Sequence, residues 1–169
     1  MEVPVCGAET MKYLFDDCPS GGVLGYNSLI YCPDIVMRPS GANGWFYYRS
    51  NCFEYFRKLR NWSDAELECQ SYENGAHLAS ILSLKEASII AEYVSVYQRN
   101  QPLWIGLHDP QKGQRRQWID GARHLYRPWP GQAAGGSKYC AELSSGTNFL
   151  TWNNNDCTKR QHFLCKYRP

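Results

Sequence analysis

The sequence predicts an α+β domain stapled by disulfides: two helices flanking short antiparallel strands, with one long irregular loop region. Three observations carry that prediction. The run Leu103-Trp104-Ile105-Gly106-Leu107 lies between Pro102 and the pair Asp109-Pro110; it is too short for a buried helix and reads as a strand covered on both faces. Two Ser-x-x-Glu patterns, Ser63 to Glu66 and Ser83 to Glu86, stand at the head of apolar stripes of helical period. Eight widely spaced cysteines include no CxxC pair and no Cys/His cluster of zinc-finger spacing, which favours disulfides and an oxidising compartment over a metal centre.

Taken in order, residues 1–33 mix Gly, Pro, Ser and Asp with Cys6, Cys18 and Cys32 and show no periodicity. They read as an extension, which leaves 34–169 as the domain. The extension lacks the basic start and apolar run of a signal peptide, and no segment reads as a membrane span. The cysteine usage still implies an extracellular setting, with an atypical start on a secreted domain. Gly44-Trp45-Phe46-Tyr47-Tyr48 predicts an aromatic strand, and Asn51-Cys52-Phe53-Glu54-Tyr55-Phe56 a second.

Ser63 predicts the cap of a helix over 65–72, with Ala65, Cys69 and Tyr72 on one core-facing stripe and Gly75 as its stop. His77-Leu78-Ala79-Ser80-Ile81 alternates like a short strand. Ser83 predicts a helix running to about Arg99, its buried stripe formed by Ala87, Ile90, Ala91, Val94 and Tyr97. Gly106 inside the central strand marks a place where another backbone or a large ring packs closely. Residues 111–136 have no helical stripe and contain five glycines, Pro128 and Pro130, with Trp118 and Trp129 isolated among them. A stretch of this kind is functional or disordered, and its aromatics favour function. Tyr139 to Leu143 and Phe149 to Trp152 predict a hairpin, and Phe163 to Tyr167 a closing strand.

Net charge is only +2, but its spread is uneven. Residues 1–99 carry 8 Lys+Arg against 12 Asp+Glu (8 − 12 = −4), and residues 100–169 carry 10 against 4 (10 − 4 = +6). A basic half suits a polyanion, although a solvated face is the commoner reason for one. No nucleic-acid partner is expected. Nor is an enzyme: His77 sits among apolar neighbours like a satisfied core histidine, and His108, His124 and His162 have no nucleophile at a recognisable spacing. Asn61-Trp62-Ser63 fits the N-glycosylation pattern, but Ser63 is wanted as a cap and Trp62 as core.

A chain of spaced features resembles the C-type lectin-like domain over residues 34–169. These are Trp62 with Ala65 and Cys69, His77-Leu78-Ala79, Trp104-Ile105-Gly106-Leu107, Trp118-Ile119-Asp120-Gly121, Cys140, Trp152 ahead of Cys157, and Cys165. Within it, the stretches Ile105 to Lys112 and Arg160 to Pro169 resemble the regenerating islet-derived (Reg) family, and Tyr55 to Ser63 its type IV branch. The resemblance implies the C-type lectin-like fold, pairing of Cys69 with Cys165 and of Cys140 with Cys157, and a monomeric secreted lectin of gastrointestinal epithelium. Three positions depart from the family. Gly41 replaces the cysteine that would pair with Cys52, leaving Cys52 to Cys32, to another cysteine of the extension, or to no partner. Arg116 stands where a tryptophan is usual, and residues 1–33 have no counterpart.

Calcium needs six to eight oxygens, several of them charged. The loop Pro130-Gly131-Gln132-Ala133-Ala134-Gly135-Gly136 has no carboxylate, Asn153 and Asn154 follow Trp152, and Asp156 reads as a turn residue. Neither a metal nor any other cofactor is expected. The resemblance implies calcium-independent recognition of mannose-rich glycans or mannan at two matched stretches. One is Asp109, Pro110, Gln111, Lys112, Gly113 and Gln114, with Gly113 in place of a bulkier basic residue. The other is Gly146, Thr147 and Asn148, leading into Phe149 and Trp152. The plain alternative is that both are solvated hairpin turns. A different class of function is heparan-sulfate binding by Lys112, Arg115, Arg116, Arg123 and Arg127, with Lys159 and Arg160. A growth or survival factor acting through a receptor follows from family analogy alone.

Overall fold

The computed structural model describes residues 6, 23–24, 30–31, 44–123, 126, 128 and 137–169. Its strands are β1 (Val23–Leu24), β2 (Ile30–Tyr31), β3 (Phe46–Tyr48), β4 (Asn51–Arg60), β5 (His77–Leu78), β6 (Leu103–His108), β7 (Gln117–Trp118), β8 (Cys140–Leu143), β9 (Trp152–Asn155) and β10 (Gln161–Tyr167). The helices are α1 (Trp62–Tyr72) and α2 (Leu84–Tyr97). The chain divides into two units, Met1–Phe53 with Arg168–Pro169, and Glu54–Tyr167.

In the first unit β1 pairs antiparallel with β2, and β3 with the start of β4. The second pairing sets Phe46 opposite Phe53 with their rings stacked at 5.3 Å. Cys52 is bonded to Cys6, with the Cα atoms 5.6 Å apart, so its partner is a cysteine of the extension other than Cys32. Cys18, Cys32 and the expected boundary between residues 33 and 34 lie outside the described residues.

In the second unit the strands run β4–β10–β6–β8–β9, with β5 added on β10 and β7 on β6. The sheet is mixed rather than antiparallel throughout. β6 lies parallel to β10, with Leu103 beside His162 and Trp104 beside Phe163, and antiparallel to β8 and β7. Parallel neighbours need a long connection, and here the loop region and the β8–β9 hairpin supply it. β6 is the covered strand the sequence implies: Leu103, Trp104, Ile105 and Leu107 are all 0% exposed. A Cβ on Gly106 would run into the Leu78 carbonyl oxygen and come within 3.0 Å of Ile119 Cγ2. The close neighbour is therefore backbone. Gly106 N–H donates to the Ala79 carbonyl at 2.9 Å, and Ile119 N–H donates to the Gly106 carbonyl at 2.8 Å.

Helix α1 does not start at the expected capping box. Asn61 is the cap, its Oδ1 accepting the Asp64 N–H at 2.8 Å. Glu66 turns inward beside Ala65 and Cys69, where its carboxylate accepts from Leu78 N–H at 2.8 Å and from Gln70 Nε2 at 2.7 Å, and meets His77 Nδ1 at 2.6 Å. A buried carboxylate with those partners cannot also return to the cap. At α2 the Ser83 half of the box forms, while Glu86 reaches one residue past the cap to Leu82. Ser83 Oγ accepts from Glu86 N–H at 3.1 Å, and Glu86 Oε2 accepts from Leu82 N–H at 2.6 Å. The expected stripe is buried at Ala87, Ile90, Ala91 and Val94, while Tyr97 emerges at the helix end.

Cys69 is bonded to Cys165 and Cys140 to Cys157, with Cα separations of 5.5 and 5.2 Å. The hairpin pairs β8 with β9 in the register Cys140 to Asn155 and Leu143 to Trp152. Its second strand begins at Trp152 rather than Phe149, because Phe149 adopts a positive φ of 64° and turns the chain. Among the described residues no helix is long and apolar enough to cross a membrane.

Candidate functional site

The first candidate stretch follows β6 directly. The Asp109 N–H donates to the Tyr139 carbonyl at 2.9 Å, which ties the end of β6 to the residue preceding β8. The Asp109 side chain is 2% exposed and curls back over the turn. One carboxylate oxygen accepts from Gly113 N–H at 3.2 Å and the other from Gln114 N–H at 2.6 Å. Lys112 and Gln114 both take the left-handed conformation, with φ of 55° and 62°. Asp109 thus shapes the turn, and Pro110, Gln111, Lys112, Gly113 and Gln114 are all exposed. The Lys112 ammonium lies 5.2 Å from the centre of the Tyr139 ring. Sequence reasoning missed Tyr139, because nothing local connects it to the turn.

Beneath this turn the frame is stiff. The His108 ring stacks on Trp62 with centroids 4.4 Å apart, and Trp62 Nε1 donates to the Ile105 carbonyl at 2.8 Å. Burial holds the His108 imidazole below its ordinary pKa, against the pull of Glu66 and Asp109, so the ring is neutral at physiological pH.

The second stretch is a 3-10 turn, Ser145–Thr147, closed by Asn148 in the left-handed region at φ 51°. Thr147 Oγ1 lies 2.7 Å from Thr151 Oγ1 and accepts the Thr151 N–H at 3.2 Å. Phe149 N–H donates to the Ser144 carbonyl at 2.9 Å. Gly146, Thr147 and Asn148 are exposed, whereas Phe149 and Trp152 are 1% and 0% exposed. The two aromatics anchor the turn from inside and present no ring face to a ligand.

Of the cations, Lys112, Arg115, Arg123, Lys159 and Arg160 are exposed and Arg116 is half-buried; Arg127 lies outside the described residues. The carboxylates near the hairpin are already engaged. Glu142 is 6% exposed and accepts from Asn155 Nδ2 at 2.7 Å and from Gln161 Nε2 at 2.8 Å. Asp156 accepts the Thr158 N–H at 2.9 Å and its hydroxyl at 2.8 Å, and the backbone bond in particular holds its carboxyl below the usual range. It is a turn residue, as expected. The loop 131–136 lies outside the described residues; among those described, no three of His, Cys, Asp and Glu gather as a metal set.

Comparison with known proteins places this geometry. Residues 58–167 match the C-type lectin domain. Human regenerating islet-derived protein 4 is 73% identical over 148 residues, 88% of this chain and 89% of that protein. A C-type lectin mannose-binding isoform from Notechis scutatus scutatus is 36% identical over 126 residues, 72% of this chain and 80% of that protein. The solved structure of human regenerating gene type IV protein is 75% identical with a TM-score of 0.62, covering 77% of this chain and 99% of that one. The chain belongs to the C-type lectin domain family, within its regenerating islet-derived branch.

Proposed function

We propose that this chain is a secreted protein that binds mannose-rich glycans without calcium, through the turns 109–114 and 146–148. The observation that supports this best is the Asp109 carboxylate, which is buried and holds the first turn by two backbone N–H groups. That leaves the Gln111 and Gln114 side chains outside, preset for hydroxyls. A turn that is already ordered loses little entropy when a ligand docks. The name of the Notechis relative records mannose binding, and the disulfides accord with an extracellular setting. Calcium independence is supported by the engaged state of Glu142 and Asp156 and by the amides at Asn153 and Asn154. A catalytic role has less support, since His77 is held by Glu66.

Hydroxyl recognition without a metal is weak, near millimolar or about 4 kcal/mol per turn. Two turns on one multivalent glycan raise the apparent affinity by linkage. The test is retention on a mannan column with EDTA present. Wild-type protein is retained, and Gln111→Ala and Asn148→Ala each shorten retention; full retention of both variants removes these turns from the site.

A second reading, heparan-sulfate binding, is favoured by the exposure of Lys112, Arg115 and Arg123 in the basic half of the chain. Salt separates the two readings, because a polyanion contact fades as ionic strength rises and mannan retention does not.

A further inference from the structure

We propose that the Tyr139 ring is the stacking face for sugar at the 109–114 turn, and that the Lys112 ammonium occupies this face until a neutral hexopyranose displaces it. The inference deepens the saccharide reading and rests on it. Hydroxyls alone bind a pyranose poorly, and an aromatic ring adds a surface for its C–H face. At the 146–148 turn both nearby aromatics are sealed inside. Tyr139 is different: it is partly exposed, and it is pinned on both sides by its carbonyl bond to the Asp109 N–H and by Cys140 next to it in the Cys140–Cys157 disulfide. The backbone that carries the ring is therefore fixed relative to the turn that carries Gln111 and Gln114.

The ammonium lies 5.2 Å from the ring centre, within cation–π range. Ring faces carry negative charge, which attracts an ammonium and the weakly positive C–H bonds of a sugar alike. The two compete for one surface. Lys112 is exposed, so its contact is weak enough to be exchanged.

The test is a titration with methyl α-mannopyranoside in EDTA, followed by proton NMR on the full chain. The expected result is an upfield ring-current shift of the sugar C–H protons, together with shifted Tyr139 ring signals. Tyr139→Ala weakens binding about five- to tenfold, and Tyr139→Phe stays within about twofold of wild type. Lys112→Met tightens binding about two- to fivefold by clearing the face. The backbone carbonyl that holds Asp109 survives these replacements, and the amide spectrum of each variant reports its fold. Wild-type binding with no ring-current shift, or equal binding by a folded Tyr139→Ala variant, overturns the inference and leaves the saccharide reading intact. A wild-type chain that binds no mannoside overturns both.

Discussion

At the scale of single residues, Asp109 and Gly106 do most to place the candidate site. Asp109→Ala removes both acceptors from the Gly113 and Gln114 N–H groups. Loss of those charge-assisted bonds is expected to cost about 2 kcal/mol and to weaken mannan retention as strongly as Gln111→Ala. Urea unfolding read alongside the column separates the two effects. Gly106→Ala puts a methyl group against the Leu78 carbonyl, and backbone cannot yield as a side chain does. A loss of about 3 kcal/mol or more is expected, seen as a lower urea midpoint. At Asn61 the side chain is spent as a helix cap, Nδ2 donating to Asp64 Oδ2 at 2.9 Å and Oδ1 accepting from Asp64 N–H. The sequon is therefore expected to stay unmodified in secreted protein, which intact-mass spectrometry shows directly.

Glu54 supplies a pH dependence at the same scale. Burial raises its carboxyl pKa from 4.5 to about 8, opposed by the nearby Lys58. The folded chain thus keeps a proton that the unfolded chain releases above pH 4.5. Stability from this group is full below that point and falls as pH rises towards about 8. Glu54→Gln is expected to flatten the decline in urea stability between pH 5 and 8; an unchanged slope contradicts the assignment.

At the scale of elements, legibility followed locality. The α2 cap and buried stripe were readable because the Ser83–Glu86 cap bond and the period of the stripe are both local to the helix. The α1 box misled, since Ser63 and Glu66 have the spacing but Glu66 is claimed by His77 and Leu78 across the core. Glycine in β6 was readable as a close approach, while the parallel pairing of β6 with β10 was not, because strand direction is set by topology rather than by composition. The two polar turns were visible as residue types. Which aromatics serve them was not: Phe149 and Trp152 turn inward, and Tyr139 is reached only through Lys112. The buried contact of Lys166 Nζ with the Ser80 carbonyl at 3.0 Å and Glu86 Oε1 at 3.5 Å joins β10 to the start of α2. Lys166→Met leaves Glu86 uncompensated in the core and is expected to cost about 3 kcal/mol, measurable by thermal unfolding.

At the scale of the molecule, the disulfides fix the frame that presents both turns. Cys69–Cys165 closes a sequence separation of 96, worth about 4–5 kcal/mol in the chain-entropy model, and Cys140–Cys157 closes 17, worth about 3 kcal/mol. The second link matters more for binding, because it holds the hairpin base beside Tyr139. Its removal is expected to weaken mannan retention in protein that still folds.

The most direct measurement is amide-shift mapping of the labelled full chain with a mannan fragment, in EDTA and at high salt. The account predicts shifts concentrated at residues 109–114, Tyr139 and residues 146–148, unaltered when calcium is added. Shifts that appear only with calcium, that vanish in high salt, or that centre elsewhere on the sheet would contradict it.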